Sequence, residues 1–336
     1  MNDFIKKMTE KAKQDPQKIA FPESDNVDIL KTAQQVVEVG IGFPMMIGNQ
    51  ETIEALAAAN GVNTSGFEYF DYNSEEVRMK LAADYTASHD DFSEKSVNRK
   101  AKDPVRCAMF LLKMHIVDCV AAGKDYSTGD VIIEAMSIVG LQEGVESVSS
   151  LGIADVPGFE GPEGTMFGLA DCAITAQPDA KDLAGIAIAS ADTVKGLLGW
   201  EPRVAMLAFS TCGSAEHESI DVVREAVELV HQNRPDIKVD GEFQLDSALI
   251  PAVAAKKVPR ESEVAGKANI LIFPNLHAGN IGVKLIQIFG HANAYGPVLQ
   301  GFAQPVCDFS RSAPVEEMLG NVAMLVIRAA ASKGGN

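Results

Sequence analysis

Short apolar runs and amphipathic segments alternate along the first part of the chain. The apolar run 18–21 predicts a strand, and apolar residues at helical spacing follow in segment 29–36. Run 44–48 and segment 51–59 repeat this order of strand and helix. Because strands that alternate with helices are joined by right-handed crossovers, the pattern predicts a parallel sheet.

The same pattern continues through the rest of the chain. Apolar runs of strand length recur at 116–121, 148–153, 164–169, 203–209, 237–239, 268–273 and 295–300. Segments with a helical pattern are found at 1–16, 88–102, 104–114, 179–197, 220–232, 243–254, 281–289 and 315–331. The chain therefore reads as an α/β protein over its whole length.

Length and charge narrow the classes of protein that fit. The chain has 336 residues, more than a single hydrophobic core usually serves, so we expect two domains. The net charge of −17 disfavours binding to nucleic acid or to an acidic membrane surface. The apolar runs are far shorter than the roughly 20 residues that span a bilayer, and the start of the chain lacks a signal-peptide core.

Cysteine and glycine patterns bear on cofactors and location. The five cysteines are an odd number without paired spacing, which predicts reduced thiols and a cytoplasmic protein. The histidines show no metal-ligand spacing, so no metal site is expected. Neither a Walker loop nor a clean Gly-x-Gly-x-x-Gly follows a strand, so neither ATP nor a nicotinamide cofactor is expected.

Polar residues that suit an anionic ligand are concentrated after residue 273. Asn275, Gly279 and Asn280 follow the buried run 268–273 and precede a helical segment, where backbone N–H groups can approach an anion. Asparagine and glycine in a loop are also ordinary turn chemistry. Lys284 lies one helical turn after Asn280 and is either a second binding group or a solvated lysine.

Six motifs, in order along the chain, resemble the phosphate acetyltransferase and phosphate butyryltransferase family, with the acetyl branch closest. They are found at 171–174, 201–207, 240–246, 273–281, 296–301 and 305–311. The resemblance implies exchange of an acyl group between coenzyme A and inorganic phosphate, and a homodimer. It also implies two α/β/α domains with mainly parallel sheets and an interdomain cleft. The expected domains are 1–142 plus 291–336, and 143–290.

The resemblance also implies roles for single residues. Arg311 is expected to bind the phosphate or acyl phosphate, for which a bidentate guanidinium is suited, and Ser310 to steady the thiol or developing charge. Glu317 stands where the acetyl branch has an aspartate, seven residues after the serine, and could take the thiol proton. Helix-dipole partner is the alternative role for Glu317. Gly301 belongs to one of the matching motifs and is expected at the substrate.

One further match lies in the first half of the chain and is partial. Ser127, Thr128 and Asp130 resemble the first-domain motif of the family, and we expect Ser127 and Thr128 to bind substrate. The family usually has histidine where Tyr126 stands and arginine where Ile133 stands. These departures remove positive charge and predict weaker binding of phosphate or coenzyme A than in typical relatives.

The sequence thus predicts an acyltransferase of the phosphate acetyltransferase type. Its substrates are acyl phosphate, phosphate and coenzyme A, with no permanently bound cofactor. Acetyl is the expected acyl group, and propionyl or butyryl is the alternative. A different class of function stays open as well, because a member that lost first-domain charge could serve as a ligand-binding or assembly protein.

Overall fold

The computed structural model describes residues 3–142 and 145–333 and divides them into two units. The strands, in chain order, are β1 (Gln17–Phe21), β2 (Gly42–Ile47), β3 (Glu68–Phe70), β4 (Cys119–Ala122), β5 (Ser149–Asp155), β6 (Met166–Ala170), β7 (Arg203–Leu207), β8 (Lys238–Phe243), β9 (Ile270–Ile272), β10 (Asn293–Gln300) and β11 (Val306–Asp308).

The helices alternate with these strands over most of the described chain. They are α1 (Asp3–Ala12), α2 (Val27–Val39), α3 (Gln50–Ala59), α4 (Glu75–Thr86), α5 (Glu94–Lys100), α6 (Pro104–Lys113), α7 (Thr128–Ile138), α8 (Ala180–Leu198), α9 (Glu218–Asn233), α10 (Leu245–Leu249), α11 (Pro251–Lys257), α12 (Leu276–Phe289) and α13 (Val315–Lys333). The predicted α/β class is confirmed.

The first unit contains a fully parallel sheet. Its described residues end at Gln142 and resume at Phe302, and its strand order is β11-β4-β1-β2-β3. Each neighbouring pair is parallel, so the carboxyl ends of all five strands lie at the same edge. Helix α13 packs on β4, β1 and β11, and its inner face carries a long buried apolar stripe. This packing brings the start of α13 close to the strand ends.

The second unit contains a mixed sheet with the order β10-β5-β6-β9-β7-β8. The pairs among β6, β9, β7 and β8 are parallel, whereas β10 pairs antiparallel with β5 and β5 pairs antiparallel with β6. Helix α8 packs on β6, β9 and β7. The carboxyl ends of β6, β9 and β7 therefore share one edge.

Two expectations about this region need correction. The predicted return of the chain to the first unit at residue 291 is wrong, because β10 is hydrogen-bonded to β5 and the unit extends to Gly301. Residues 276–280 were expected to form a loop before a helix, but they are the first turns of α12. Asn275 is the N-cap of that helix, since its side chain accepts a hydrogen bond from the Ala278 N–H.

The predicted helix 243–254, which follows β8 of the second sheet, also needs correction. Segment 243–254 is not a single helix, because Phe243 ends β8 and two short helices, α10 and α11, follow. Pro251 begins α11, where its missing N–H costs no hydrogen bond, and it separates the two helices. Among the described residues, every helix is too short or too polar to span a bilayer.

Candidate active site

The carboxyl edge of the first sheet gathers a compact group of polar residues. Glu23 follows β1, Lys124 and Thr128 follow β4, and Asp308 ends β11, with Arg311 three residues later. Parallel strands bring these segments together although Glu23 and Asp125 are 102 residues apart in sequence and Thr128 and Asp308 are 180 residues apart. Ligands of α/β proteins bind at such an edge, beyond the carboxyl ends of parallel strands.

Glu23 fixes the shape of the loop after β4. Its carboxylate is buried and accepts hydrogen bonds from the backbone N–H groups of Lys124, Asp125 and Tyr126, at 3.1, 2.6 and 2.9 Å. Three donors on one carboxylate hold the loop firmly, because charge-assisted hydrogen bonds are stronger than neutral ones. The loop leads directly into α7, so Glu23 determines where Thr128 is placed.

Asp308 lies beneath the same loop. Its residue is 3% exposed, and its Oδ2 accepts a hydrogen bond of 2.6 Å from the Thr128 hydroxyl. Its Oδ1 has no hydrogen-bond partner among the described residues. Burial raises the pKa of Asp308 to about 6, the hydrogen bond from Thr128 and the charge of Arg311 oppose that shift, and the charge of Glu23 adds to it. A carboxyl group with this pKa changes charge near neutral pH.

Ser310 and Arg311 occupy a turn between β11 and α13. The turn is closed by a hydrogen bond from the Ala313 N–H to the Ser310 carbonyl, and the Ser310 and Ser312 hydroxyls are 3.1 Å apart. Both Ser310 and Arg311 are exposed. Within the described residues the guanidinium of Arg311 forms no ion pair or hydrogen bond, although its charge acts on Asp308, so its five donors remain available to an anion.

Lys124 and Glu317 are two further charged residues at this site, and Lys124 is close enough for its charge to act on Glu317. The Lys124 ammonium donates to the Ala313 carbonyl at 2.8 Å and lies 3.3 Å from a carboxylate oxygen of Asp28. Glu317 is half-buried in the first turn of α13, whereas its neighbour Glu316 is exposed. Burial raises the pKa of Glu317, and the charge of Lys124 opposes that shift. Glu317 is thus a half-buried carboxylate with a raised pKa, at the position that the family resemblance indicated.

Ser127 has a structural role as the N-cap of α7. Its hydroxyl caps the helix by accepting from the Asp130 N–H at 3.1 Å and donates to the Asp130 carboxylate at 2.6 Å. Tyr126, which stands where the family resemblance calls for histidine, donates its hydroxyl to Asp103 at 2.9 Å. Ile133 is 63% exposed on the same helix.

In the second unit, the residues after β9 pack against the loop after β6. Asn280 donates its side-chain amide to the Cys172 carbonyl at 3.2 Å. A Cβ atom on Gly279 would lie 2.2 Å from the Asp171 carbonyl oxygen, so only glycine fits there. Asn275 caps α12, and Lys284 is exposed further along that helix. Gly279, Asn280 and Asn275 therefore have packing and capping roles, whatever they contribute to binding.

Asp171 organises the loop that Gly279 touches. It is 3% exposed, and its carboxylate accepts from the backbone N–H groups of Ala173 and Thr175 at 2.9 and 2.8 Å, and from the Ser150 hydroxyl. Gly301 also serves packing, because its φ of 97° and the nearby Ser147 carbonyl exclude a side chain. Its expected contact with substrate stays a prediction.

The cysteine thiols in the second unit are poor nucleophiles. Burial raises the pKa of Cys172 to about 12, with help from the charge of Asp171, and burial also raises the pKa of Cys212. A protonated thiol attacks slowly, because the thiolate is the nucleophile. In the part of the chain that the structure describes, no group of three or more His, Cys, Asp and Glu side chains is placed to hold a metal ion.

Three residues of the first-unit site were not singled out from sequence. Glu23, Lys124 and Asp308 are polar and buried or nearly so, and each directly follows or ends an apolar strand run. Their position at strand ends was the available signal. Their contacts could not be predicted from the sequence, because each contact joins segments that are distant along the chain.

The first unit is therefore an α/β unit whose carboxyl sheet edge holds a hydroxyl, a buried carboxylate and a guanidinium without an ion-pair partner among the described residues. A family model described as "Phosphate acetyl/butaryl transferase" matches residues 3–326. The chain belongs to this family of phosphate acetyl- and butyryltransferases, and its members are acyltransferases.

Individual relatives match over nearly the full length. The chain is 40% identical to a phosphate acetyltransferase of Thermoanaerobacterium thermosaccharolyticum, over 97% of this chain and 99% of that protein. It is 36% identical to a phosphate acetyltransferase of Bacillus subtilis, over 97% and 98%. The crystal structure of a phosphotransacetylase from Streptococcus pyogenes superposes with a TM-score of 0.87 at 30% identity, covering 98% of this chain and 100% of that one.

Proposed function

We propose that this protein catalyses the reversible transfer of an acetyl group between acetyl phosphate and coenzyme A. The observation that carries the proposal is the Arg311 guanidinium, which follows Ser310 at the carboxyl edge of the first sheet and has no ion-pair partner in the described part of the chain. A guanidinium holds two oxygens of a phosphate group at once, which fixes the acyl phosphate for attack. The relatives named above carry the same activity in their names.

The proposed reaction is a direct displacement. Glu317 takes the proton from the thiol of coenzyme A, and the sulfur forms a bond to the acyl carbon. The bond between that carbon and the phosphate oxygen then breaks, and phosphate leaves with the electron pair. Arg311 and Ser310 stabilise the negative charge that develops on the oxygens. The raised pKa of Glu317 suits a proton acceptor at neutral pH.

The remaining substrate contacts are assigned by unit. In the first unit, Thr128 is an exposed residue whose hydroxyl donates to Asp308, and it is assigned to a phosphate oxygen, with Ser127 next to it. In the second unit, the assigned residues lie at the end of β10 and around the start of α12: Asn275, Gly279, Asn280, Lys284 and Gly301. Coenzyme A is a substrate in this scheme, and no permanently bound cofactor is required.

Transfer of a longer acyl group, propionyl or butyryl, is the second candidate function, and the exposed side chain of Ile133 is the observation that favours it. This exposed isoleucine stands where the family resemblance calls for arginine, and it offers apolar surface to an acyl chain. Comparing turnover with acetyl, propionyl and butyryl phosphate decides between the candidates.

The partner proposed for this protein is a second copy of the same chain. Ile281, Leu285, Ile288 and Phe289 of α12 are 48–78% exposed and lie along one helix face. The helix carries no acidic residue, although the whole chain has a net charge of −17. Two such chains repel each other unless the surfaces in contact lack acid, and this apolar face meets that condition.

Location is proposed from thiol chemistry. The five cysteines are free, and Cys107, Cys119 and Cys307 are buried. Free thiols of this kind persist in a reducing compartment, which supports the cytoplasm.

The proposed activity is tested by mixing the purified protein with acetyl phosphate and coenzyme A and following loss of the thiol. We expect turnover by the wild type and a loss of at least 100-fold in Arg311→Ala, because one charge-assisted contact in the transition state is worth about 3 kcal/mol or more. Arg99→Ala removes an exposed arginine from α5 and should keep full activity. A folded wild type without turnover would reject the proposed function.

A further inference from the structure

The buried carboxyl of Asp308 has a hydrogen-bonding pattern that the proposed reaction leaves unexplained. Its Oδ2 is bonded to Thr128, whereas its Oδ1 has no partner among the described residues. Buried polar atoms are nearly always paired, so an unpaired carboxylate oxygen calls for a reason. The side chain cannot turn toward solvent easily, because the residue is only 3% exposed.

The surrounding backbone is shaped to accept this carboxyl group. Gly123 has a φ of 100°, and a Cβ atom there would lie 2.0 Å from the Asp308 Oδ1. Glu23 holds the following residues in place through three backbone N–H groups. The loop is thus built so that Asp308 stays against Thr128.

The charged groups that act on Asp308 come from two segments. Glu23, after β1, disfavours a second negative charge, and Arg311, in the turn after β11, favours it. Burial outweighs the arginine, so the carboxyl holds a proton more readily than an exposed aspartate would. Both protonation states are accessible near neutral pH.

The protonation state determines what Thr128 can offer to a ligand. A hydroxyl has one proton to donate and can accept through its lone pairs. When Asp308 is ionised, Thr128 must donate that proton to Oδ2 and can only accept from a ligand. When Asp308 carries a proton on Oδ2, it donates to the Thr128 oxygen, and the Thr128 proton becomes free.

Phosphate and acyl phosphate present acceptor oxygens, so they need a donor at this position. We propose that Asp308 is a positioning residue that directs the Thr128 hydroxyl toward an oxyanion when Asp308 holds a proton. Binding of the oxyanion is then coupled to uptake of one proton by Asp308. The inference rests on the proposed function, since it assigns the Thr128 contact to the phosphate group of that reaction.

Inorganic sulfate is the probe of choice, because its charge stays constant between pH 5 and pH 8 while that of phosphate changes. Sulfate binding to the full chain is measured by calorimetry across this range, in buffers that differ in ionisation enthalpy. We expect the wild type to bind sulfate at least fivefold more weakly at pH 8 than at pH 6. We also expect the heat at pH 8 to depend on the buffer, which reports proton uptake.

The variants separate positioning from a purely structural role. Asp308→Asn, whose amide donates at every pH, should remove the pH dependence and bind sulfate more tightly than the wild type at pH 8. Thr128→Val should bind weakly at all pH values, and Thr128→Ser should restore the wild-type profile. Thr86→Val, on α4, is the matched control and should leave the profile unchanged.

A flat wild-type profile, a wild-type slope retained in Asp308→Asn, or no measurable sulfate binding at pH 6 would each overturn the inference. If Asp308→Asn fails to fold, the contrast between Thr128→Val and Thr128→Ser still decides the question. Turnover of acetyl phosphate by the wild type is measured alongside. Turnover with a flat sulfate profile rejects only the role of Asp308, whereas the expected profile without turnover rejects only the proposed reaction.

Discussion

At the scale of single residues, three carboxylates of the first unit show how surroundings separate chemically similar groups. Glu23 is buried and held by three N–H donors, Asp308 is buried with one donor, and Glu317 is half-buried near Lys124. The number of donors governs how well each negative charge is compensated. A structural carboxylate, a titrating one and a candidate base therefore lie within one site.

Glu317→Gln should slow acetyl transfer by about 100-fold or more, while Glu316→Gln should stay within about threefold of the wild type. Glutamine keeps the size of the side chain and removes the proton acceptor, whose usual contribution is about 100- to 10,000-fold. Adjacent helix residues point about 100° apart, so the two variants form a matched pair. Equal activities in the thiol-release assay would leave only the helix-dipole role for these residues.

The buried carboxylate of Asp308 should also lower the free energy of unfolding at neutral pH. Its pKa is raised from 3.8 to about 6, so the folded state binds its proton more tightly than the unfolded state does. The contribution of Asp308 to the free energy of unfolding is therefore most favourable below pH 4, falls as pH rises to about 6, and stays lower by up to about 3 kcal/mol above that.

Asp308→Asn should accordingly raise the free energy of unfolding at pH 8 by about 1 to 3 kcal/mol and give no gain at pH 4. Urea unfolding at the two pH values measures the difference. An equal change at both values would mean that charge burial is not the cause.

At the scale of elements, close contact between α12 and the loop after β6 sets the position of both in the second unit. Gly279 lies against the Asp171 backbone, and the Asn280 amide reaches the Cys172 carbonyl. The helix can approach so closely because one of its faces has no side chain at this point.

Gly279→Ala should destabilise the protein by about 1 to 3 kcal/mol, because the new methyl group meets a backbone oxygen that cannot move aside easily. Gly185→Ala, in the middle of α8, is the matched control. Open space surrounds that position, so alanine should stabilise the helix by about 0.5 to 1 kcal/mol. Thermal unfolding of the two variants should shift in opposite directions, and a shared sign would contradict the packing argument.

At the scale of the whole molecule, charge and apolar surface are distributed unevenly. The acidic excess gives a net charge of −17, while α12 exposes four large apolar side chains and no acid. A surface of this composition suits association with another copy, since it buries apolar area without bringing acidic groups together.

Ile288→Glu should convert a dimer into a monomer, because the interface would have to bury an unpaired charge. Met79→Glu places the same charge on α4 at an apolar side chain that is 58% exposed, close to the 66% of Ile288, and should leave the assembly unchanged. Light scattering after gel filtration gives the mass of each. A monomeric wild type, or a dimer that survives Ile288→Glu, would remove α12 from consideration as the interface.

The sequence determined most of the local structure and the family. Alternation of apolar strand runs with amphipathic helices depends on neighbours in the chain, so β1, β4, β7 and α8 were predictable from pattern alone. The motif 305–311 likewise contributed to the family resemblance, whereas the short strand β11 within it was not predicted. Strands and helices of the predicted kind can be recognised because backbone preference and hydrophobic periodicity depend on residues that are close together in the chain.

Tertiary structure alone decided the features that join distant segments. The antiparallel pairing of β10 with β5 kept residues up to Gly301 in the second unit, and strand order brought Glu23 to the loop after β4 and Thr128 to Asp308. Burial then raised the pKa of Asp308, which no local pattern encodes. Pairing, burial and charge interactions depend on distance in space, and the fold sets that distance independently of separation along the chain.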